Sequence, residues 1–155
     1  MEGVSPGQNT DSVTELKETS FRSHIGAILF LAGIFFLNFL GRIILAPLLP
    51  TIEKDLSLGH SEAGSLFLLI SLGYFISLLG SGFVASRLMH KRTIIVSATA
   101  IGLALLGISS SDSLLGISMG LVLLGLAAGL YLPSGISTLT SLINPSQWGK
   151  ALAIH

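Results

Sequence analysis

From residue 25 onward, apolar positions are gathered into four long blocks separated by short polar breaks. The blocks fall at about 25–49, 62–86, 93–109 and 114–142. Each is near the roughly 20 residues that a helix needs to cross about 30 Å of hydrocarbon. The apolar residues are not spaced along one stripe, so the blocks read as spans solvated by lipid rather than as helices of a water-soluble bundle. The pattern predicts an all-α membrane protein with four transmembrane helices.

The breaks carry their own signals. Pro47 and Pro50 lack the amide hydrogen that a continuing helix requires, and they predict the end of the first span. A polar loop follows from Thr51 to His60, after which Ser61, Glu62 and Gly64 offer a helix start. The third span is short, and a four-residue turn from Ser110 to Ser113 leads to a fourth that continues past Pro133 to Leu142. Asn144 to Lys150 is polar, and Ala151 opens a further apolar run that reaches His155. Residues 1–24 are polar and hold no apolar stretch, so they read as a disordered cytosolic tail rather than a signal peptide, with a loose turn or two of helix at Glu15 to Phe21.

Composition supports the bilayer as the solvent: of 155 residues, 50% are hydrophobic and 10% charged, too few polar groups to cover a water-soluble surface. The mean hydropathy is +0.82. Charge placement gives an orientation. Lys17, Arg22, Arg87, Lys91, Arg92 and Lys150 fall on one side of the membrane and only Lys54 on the other. A cytosolic excess of basic residues then predicts a cytoplasmic N-terminus for this multi-pass protein, which is expected in the plasma membrane. The net charge of zero and the lack of a basic face exclude a nucleic-acid binder. Without cysteine there are no disulfides or thiolate metal sites. His24, His60, His90 and His155 are isolated and read as interfacial, so no metal is expected. No convergent nucleophile, base and acid set and no phosphate loop is present, which argues against an enzyme and implies no cofactor.

Within the spans, Arg42 is the one charge well inside hydrocarbon, where an arginine costs roughly 2.5 to 3.5 kcal/mol on insertion scales. Asn38, Gly41 and Arg42 share an arc of the first helix and make a short polar patch. One reading places Arg42 in an aqueous cavity, binding an anionic substrate group through its planar donors, with Asn38 beside it. The other has the side chain snorkelling to the nearer headgroups from five to seven residues inside the span. In the second span Tyr74 is a further substrate-contact candidate, or else its hydroxyl bonds to a neighbouring helix. Gly116 with Gly120 and Gly125 with Gly129 lie on nearly opposite faces of the fourth span, which predicts a helix wedged between two others.

The stretch from Gly82 to Arg92, between the second and third spans, resembles the loop signature of the major facilitator superfamily (MFS). The family pattern is Gly-x-x-x-Asp-Arg-x-Gly-Arg-Arg or Lys. Gly82, Arg87 and Lys91 match it, while Ser86, Met89 and His90 stand where the family has Asp, Gly and Arg. Arg42 followed by Pro50 and Ile52 is similar to the first helix of the organic-anion and organophosphate carriers in that superfamily. Pro145 to His155 is similar to the start of its fifth helix, with Gln147 and Trp148 departing.

The resemblance implies an MFS-type N-terminal six-helix bundle of which this chain, over residues 25–155, supplies four helices and the start of a fifth. The rest of the transporter would be its partner, and the chain reads as a truncated fragment. It further implies secondary active transport of a small solute, an organic anion by the Arg42 pattern, through alternating access. Ser86 cannot supply the charge of the family's loop latch, and the family's antiport arginine would fall at Leu121. The competing reading is a self-contained four-helix packing or interaction module, or a small exporter, and against the exporter stands the lack of an intramembrane carboxylate.

Overall fold

The computed structural model describes the backbone of residues 6–155, with side chains from Ser23 onward. Six helices follow one another: α1 (Pro6–Ile43), α2 (Leu45–Leu56), α3 (His60–Leu88), α4 (His90–Ser109), α5 (Leu114–Leu142) and α6 (Trp148–Ile154), with a 3₁₀ turn at Pro145–Gln147 before the last. There is no strand among the described residues.

Four segments are long and apolar enough to cross a membrane: Ser23–Leu56, His60–Leu88, His90–Ser109 and Leu114–Leu142. Large apolar side chains cover their outer surface, Phe30, Leu79 and Leu115 being 70 to 74% exposed, as contact with lipid requires.

The first span differs from expectation at both ends. Helical backbone is already present at Pro6, the first residue described. Residues 6–24, expected as a disordered tail, are thus continuous with the span, while residues 1–5 lie outside the described residues. So do the side chains of Lys17 and Arg22. At the other end the helix does not stop at Pro47. It bends at Ile44 and resumes as α2 to Leu56. Pro47 sits in the first turn of α2, where a missing N–H removes little, and only Pro50 lies in its interior. Ser57, left-handed at φ 53°, closes α2, and the Leu58 amide bonds to the Glu53 carbonyl at 2.9 Å.

The remaining boundaries follow local chemistry. The Glu62 carboxylate accepts from the Gly59 amide at 3.0 Å and starts α3 two residues ahead of the expected 62. The imidazole of His60 lies 3.2 Å from Glu53, tying the two sides of this turn. Only Met89 separates α3 from α4, so α4 begins at His90 rather than 93. The Ser113 hydroxyl accepts from the Gly116 amide at 3.1 Å and starts α5 where the sequence placed it.

Packing centres on α5. In its most apolar stretch 44% of residues are buried, against 22 to 28% in the other spans. On one side the backbone of α5 touches that of α3. A Cβ on Gly125 would run into the Ile70 carbonyl, and one on Gly129 would sit 2.6 Å from the Tyr74 carbonyl oxygen. Gly73 of α3 meets the Val122 carbonyl in return. On the other side Gly120 meets Ile108 of α4. The two small-residue pairs therefore do face different neighbours, although Gly116 meets Ser111 and Ser113 of the preceding turn instead of a second helix.

Three buried hydrogen bonds add polar ties without charge. Ser97 of α4 donates to the Ala127 carbonyl at 2.7 Å, Asn38 of α1 donates to the Ala128 carbonyl at 3.4 Å, and the Tyr131 hydroxyl of α5 donates to the Leu31 carbonyl at 2.7 Å. Each replaces a side chain's lost water partner with a backbone oxygen on another helix.

Candidate functional site

Arg42 is on the last turn of α1, and Tyr74 is midway along α3. The chain rise places them at one depth. Arg42 precedes the end of α2 by 14 residues and Tyr74 follows the start of α3 by the same 14, so each is about 21 Å along its helix from the connecting turn. Because the helix continues through both prolines, Arg42 is further from the end of its span than the five to seven residues expected. That distance works against snorkelling past α2 to the headgroups.

The guanidinium instead lies over aromatic faces, its central carbon 4.7 Å from the centre of the Tyr74 ring and 5.8 Å from that of Phe39. Stacking on Tyr74 offsets part of the desolvation cost, by about 0.5 to 2 kcal/mol. Nε of Arg42 is buried with no hydrogen-bond partner. Among the described residues the one ion pair is His60 with Glu53, so no carboxylate neutralises Arg42. Beside it opens a hollow of about 580 Å³ lined by Phe67, Ser71, Tyr74, Phe75 and Leu78. The Tyr74 hydroxyl makes no hydrogen bond to a neighbouring helix among the described residues.

Asn38 does not join this pair. It is 4% exposed and its amide nitrogen is committed to the Ala128 carbonyl of α5. It borders a separate cavity of about 340 Å³ between α1 and α4, together with Ser97 and Ile101. Asn38 and Arg42 share an arc of α1, but the short amide meets α5 while the long arginine stem reaches α3.

The loop residues lie at the opposite end of α3. Gly82, Arg87 and Lys91 are exposed, and the Arg87 guanidinium carbon is 5.3 Å from the centre of the Phe83 ring. The Ser86 hydroxyl donates back to the Phe83 carbonyl at 2.7 Å and reaches no neighbouring helix. Met89 adopts φ 63°, ψ 147°, a conformation that glycine takes far more readily.

One cluster escaped the sequence reading. His155, expected at an interface, inserts between α1 and α5 instead. Its Nε2 lies 3.0 Å from the Tyr131 hydroxyl, and its ring centre is 4.8 Å from that of Phe35. The Tyr131 hydroxyl already donates to the Leu31 carbonyl, so His155 must be the donor in this contact. Tyr131 was the one available signal, a lone hydroxyl-bearing ring in a span of small residues. No group of three or more His, Asp or Glu side chains able to hold a metal occurs among the described residues.

Arg42 thus lies between the first two spans, and the degenerate loop lies at the far end of α3. The family model of the Major Facilitator Superfamily matches residues 31–155. The chain belongs to the Major Facilitator Superfamily. No curated protein and no solved structure matches it. Members of the superfamily are membrane transporters rather than enzymes, and the match over most of the chain favours that class over a self-contained four-helix module.

Proposed function

We propose that this chain forms the solute-recognising part of a secondary active transporter for small organic anions, with Arg42 as the anion-binding group. The observation that carries the reading is the Arg42 guanidinium itself. It is deep in the span, unpaired by any described carboxylate, stacked on Tyr74 and left with a buried Nε that has no partner. A carboxylate or phosphate edge would complete that donor set and supply the counter-charge. Tyr74 holds the guanidinium plane, and the hollow beside it would take the apolar body of the solute. Further helices of the same transporter would provide the opposing wall, and alternating access would expose the site to each side in turn. The positive-inside bias supports an N-terminus in the cytosol.

The test is binding to the purified full chain in lipid nanodiscs, followed by calorimetry with benzoate and with inorganic phosphate. At least one of the two should bind, and Arg42→Lys should weaken it about tenfold or more while leaving the helical content unchanged. Equal affinity in the native and Arg42→Lys chains would remove Arg42 from the assignment.

A further inference from the structure

The Arg42–Tyr74 stack joins α1 and α3, two helices that pack on each other less than each packs on α5. The position of the ring under the cation is therefore set through α5. Gly125 and Gly129, one turn apart on α5, meet the main chain of Tyr74 itself. A Cβ on Gly125 would stand 2.9 Å from the Tyr74 amide nitrogen, and one on Gly129 would stand 2.6 Å from the Tyr74 carbonyl oxygen. Tyr74 thus rests its peptide groups on bare α5 backbone, an approach that only small residues permit.

At this point α5 is the anchored partner. Ser97 of α4 donates to the Ala127 carbonyl and Asn38 of α1 to the Ala128 carbonyl, the two residues before Gly129. Asn38 is one turn from Arg42, so Ala128 is tied to the helix that carries the cation, and Gly129, next in the chain, abuts the helix that carries the ring. The serines of α3 around Tyr74 give no such anchorage. Ser71 donates to the Phe67 carbonyl at 2.9 Å and Ser81 to the Leu78 carbonyl at 2.7 Å, both within α3. A side chain at position 129 is therefore accommodated by movement of α3. Roughly 1 Å of separation restores ordinary van der Waals contact, and the Tyr74 ring moves with its backbone. Cation–π attraction is confined to about 6 Å from the ring centre, so a shift of that size weakens a contact now at 4.7 Å.

We infer that Gly129 is a positioning residue of the anion site, its bare backbone against the Tyr74 carbonyl setting the Tyr74 ring under the Arg42 guanidinium. The inference rests on the reading of Arg42 as the anion-binding group. Gly129 does not line the hollow beside Arg42 and acts through Tyr74 alone.

Two measurements on the purified full chain in lipid nanodiscs test the inference: calorimetry with benzoate and inorganic phosphate, and fluorine NMR after labelling with 3-fluorotyrosine. The chain has two tyrosines, Tyr74 and Tyr131, so Tyr131→Phe assigns both signals. Gly129→Ala should move the Tyr74 signal and weaken binding about threefold, short of the roughly fivefold expected for loss of the whole ring. On a Tyr74→Ala background Gly129→Ala should cost no further affinity, the non-additivity of a residue that acts through another. Gly120→Ala crowds Ile108 of α4 instead and should leave both the Tyr74 signal and the affinity unchanged, although it too strains the bundle. An unmoved Tyr74 signal in Gly129→Ala would overturn the inference. So would an equal loss of affinity with and without the Tyr74 ring, or the same loss in Gly120→Ala. If Gly129→Ala loses its helical circular dichroism, Ser77→Gly is added, which clears the Ser77 Cβ at 2.8 Å from the new methyl and leaves the Tyr74 carbonyl contact to be read. If neither anion binds the native chain, the Arg42 reading fails, while the fluorine signal still decides whether Gly129 places the ring.

Discussion

The guanidinium carbon of Arg42 stands 4.7 Å from the centre of the Tyr74 ring, so the charge in the middle of the first span is supported by the second rather than by headgroups or an acid. If the ring is what holds the cation, Tyr74→Ala should weaken benzoate or phosphate binding about fivefold, the loss of roughly 1 kcal/mol of cation–π attraction. Tyr74→Phe keeps the ring face and should bind within about twofold of the native chain. Calorimetry on both variants separates a ring effect from a hydroxyl effect. A large loss in Tyr74→Phe would mean that the hydroxyl touches the solute.

Contact between helix backbones makes a prediction about stability alone. At Gly125 a Cβ would meet the Ile70 carbonyl and lie 2.9 Å from the Tyr74 amide nitrogen, both main-chain atoms that cannot rotate aside. Gly125→Ala should therefore force α3 and α5 apart and cost about 1 to 3 kcal/mol, the range for overpacking. Gly80→Ala, also on α3 but with nothing within 4 Å of the new atom, should cost little or stabilise slightly. Thermal unfolding in detergent, followed by circular dichroism, compares the two.

These contacts mark the limit of what the sequence conveyed. Hydropathy located the four spans because lipid contact is a property of composition, and the boundaries of α5 were legible at both ends because Ser113 and the polar run from Asn144 are local signals. The end of the first span was not. Two prolines read as a stop, yet a proline in the first turn of a new helix removes no needed bond, and the structure uses that position at Pro47. Of the candidate site, Arg42 was visible as an isolated charge, while its partner was not. Which face of α1 meets α3 depends on helix rotation, and a block apolar on all sides does not encode rotation.

Met89 offers a gain instead of a loss. It holds φ 63°, ψ 147° at the single residue between α3 and α4 while its side chain is 63% exposed and packs on little. Such a conformation costs a non-glycine residue about 1 to 3 kcal/mol. Met89→Gly should raise the unfolding temperature, the relief of strain exceeding the 0.5 to 1 kcal/mol or so that glycine's extra unfolded-state freedom costs. The superfamily pattern has glycine at this point of the loop, which gives its glycine a backbone reason. An unchanged or lowered unfolding temperature would mean that the turn relaxes without strain.

Asn38 and Arg42, one helical turn apart, should separate cleanly by mutation. The Asn38 amide spans from α1 to the Ala128 carbonyl, next to the Ala127 carbonyl that Ser97 holds from α4, so α5 is gripped from two sides in the turn before Pro133. Asn38→Ala removes a buried donor and should cost about 0.5 to 1.5 kcal/mol in thermal unfolding, with faster amide exchange along α5. Its anion affinity should stay within about threefold of native, because Asn38 borders a different cavity from the one at Arg42. Arg42→Lys should show the opposite profile, near-native unfolding with lost binding. If Asn38→Ala instead abolished binding at unchanged stability, the amide would have to leave Ala128 and face the solute, and the polar patch of α1 would be a single site after all.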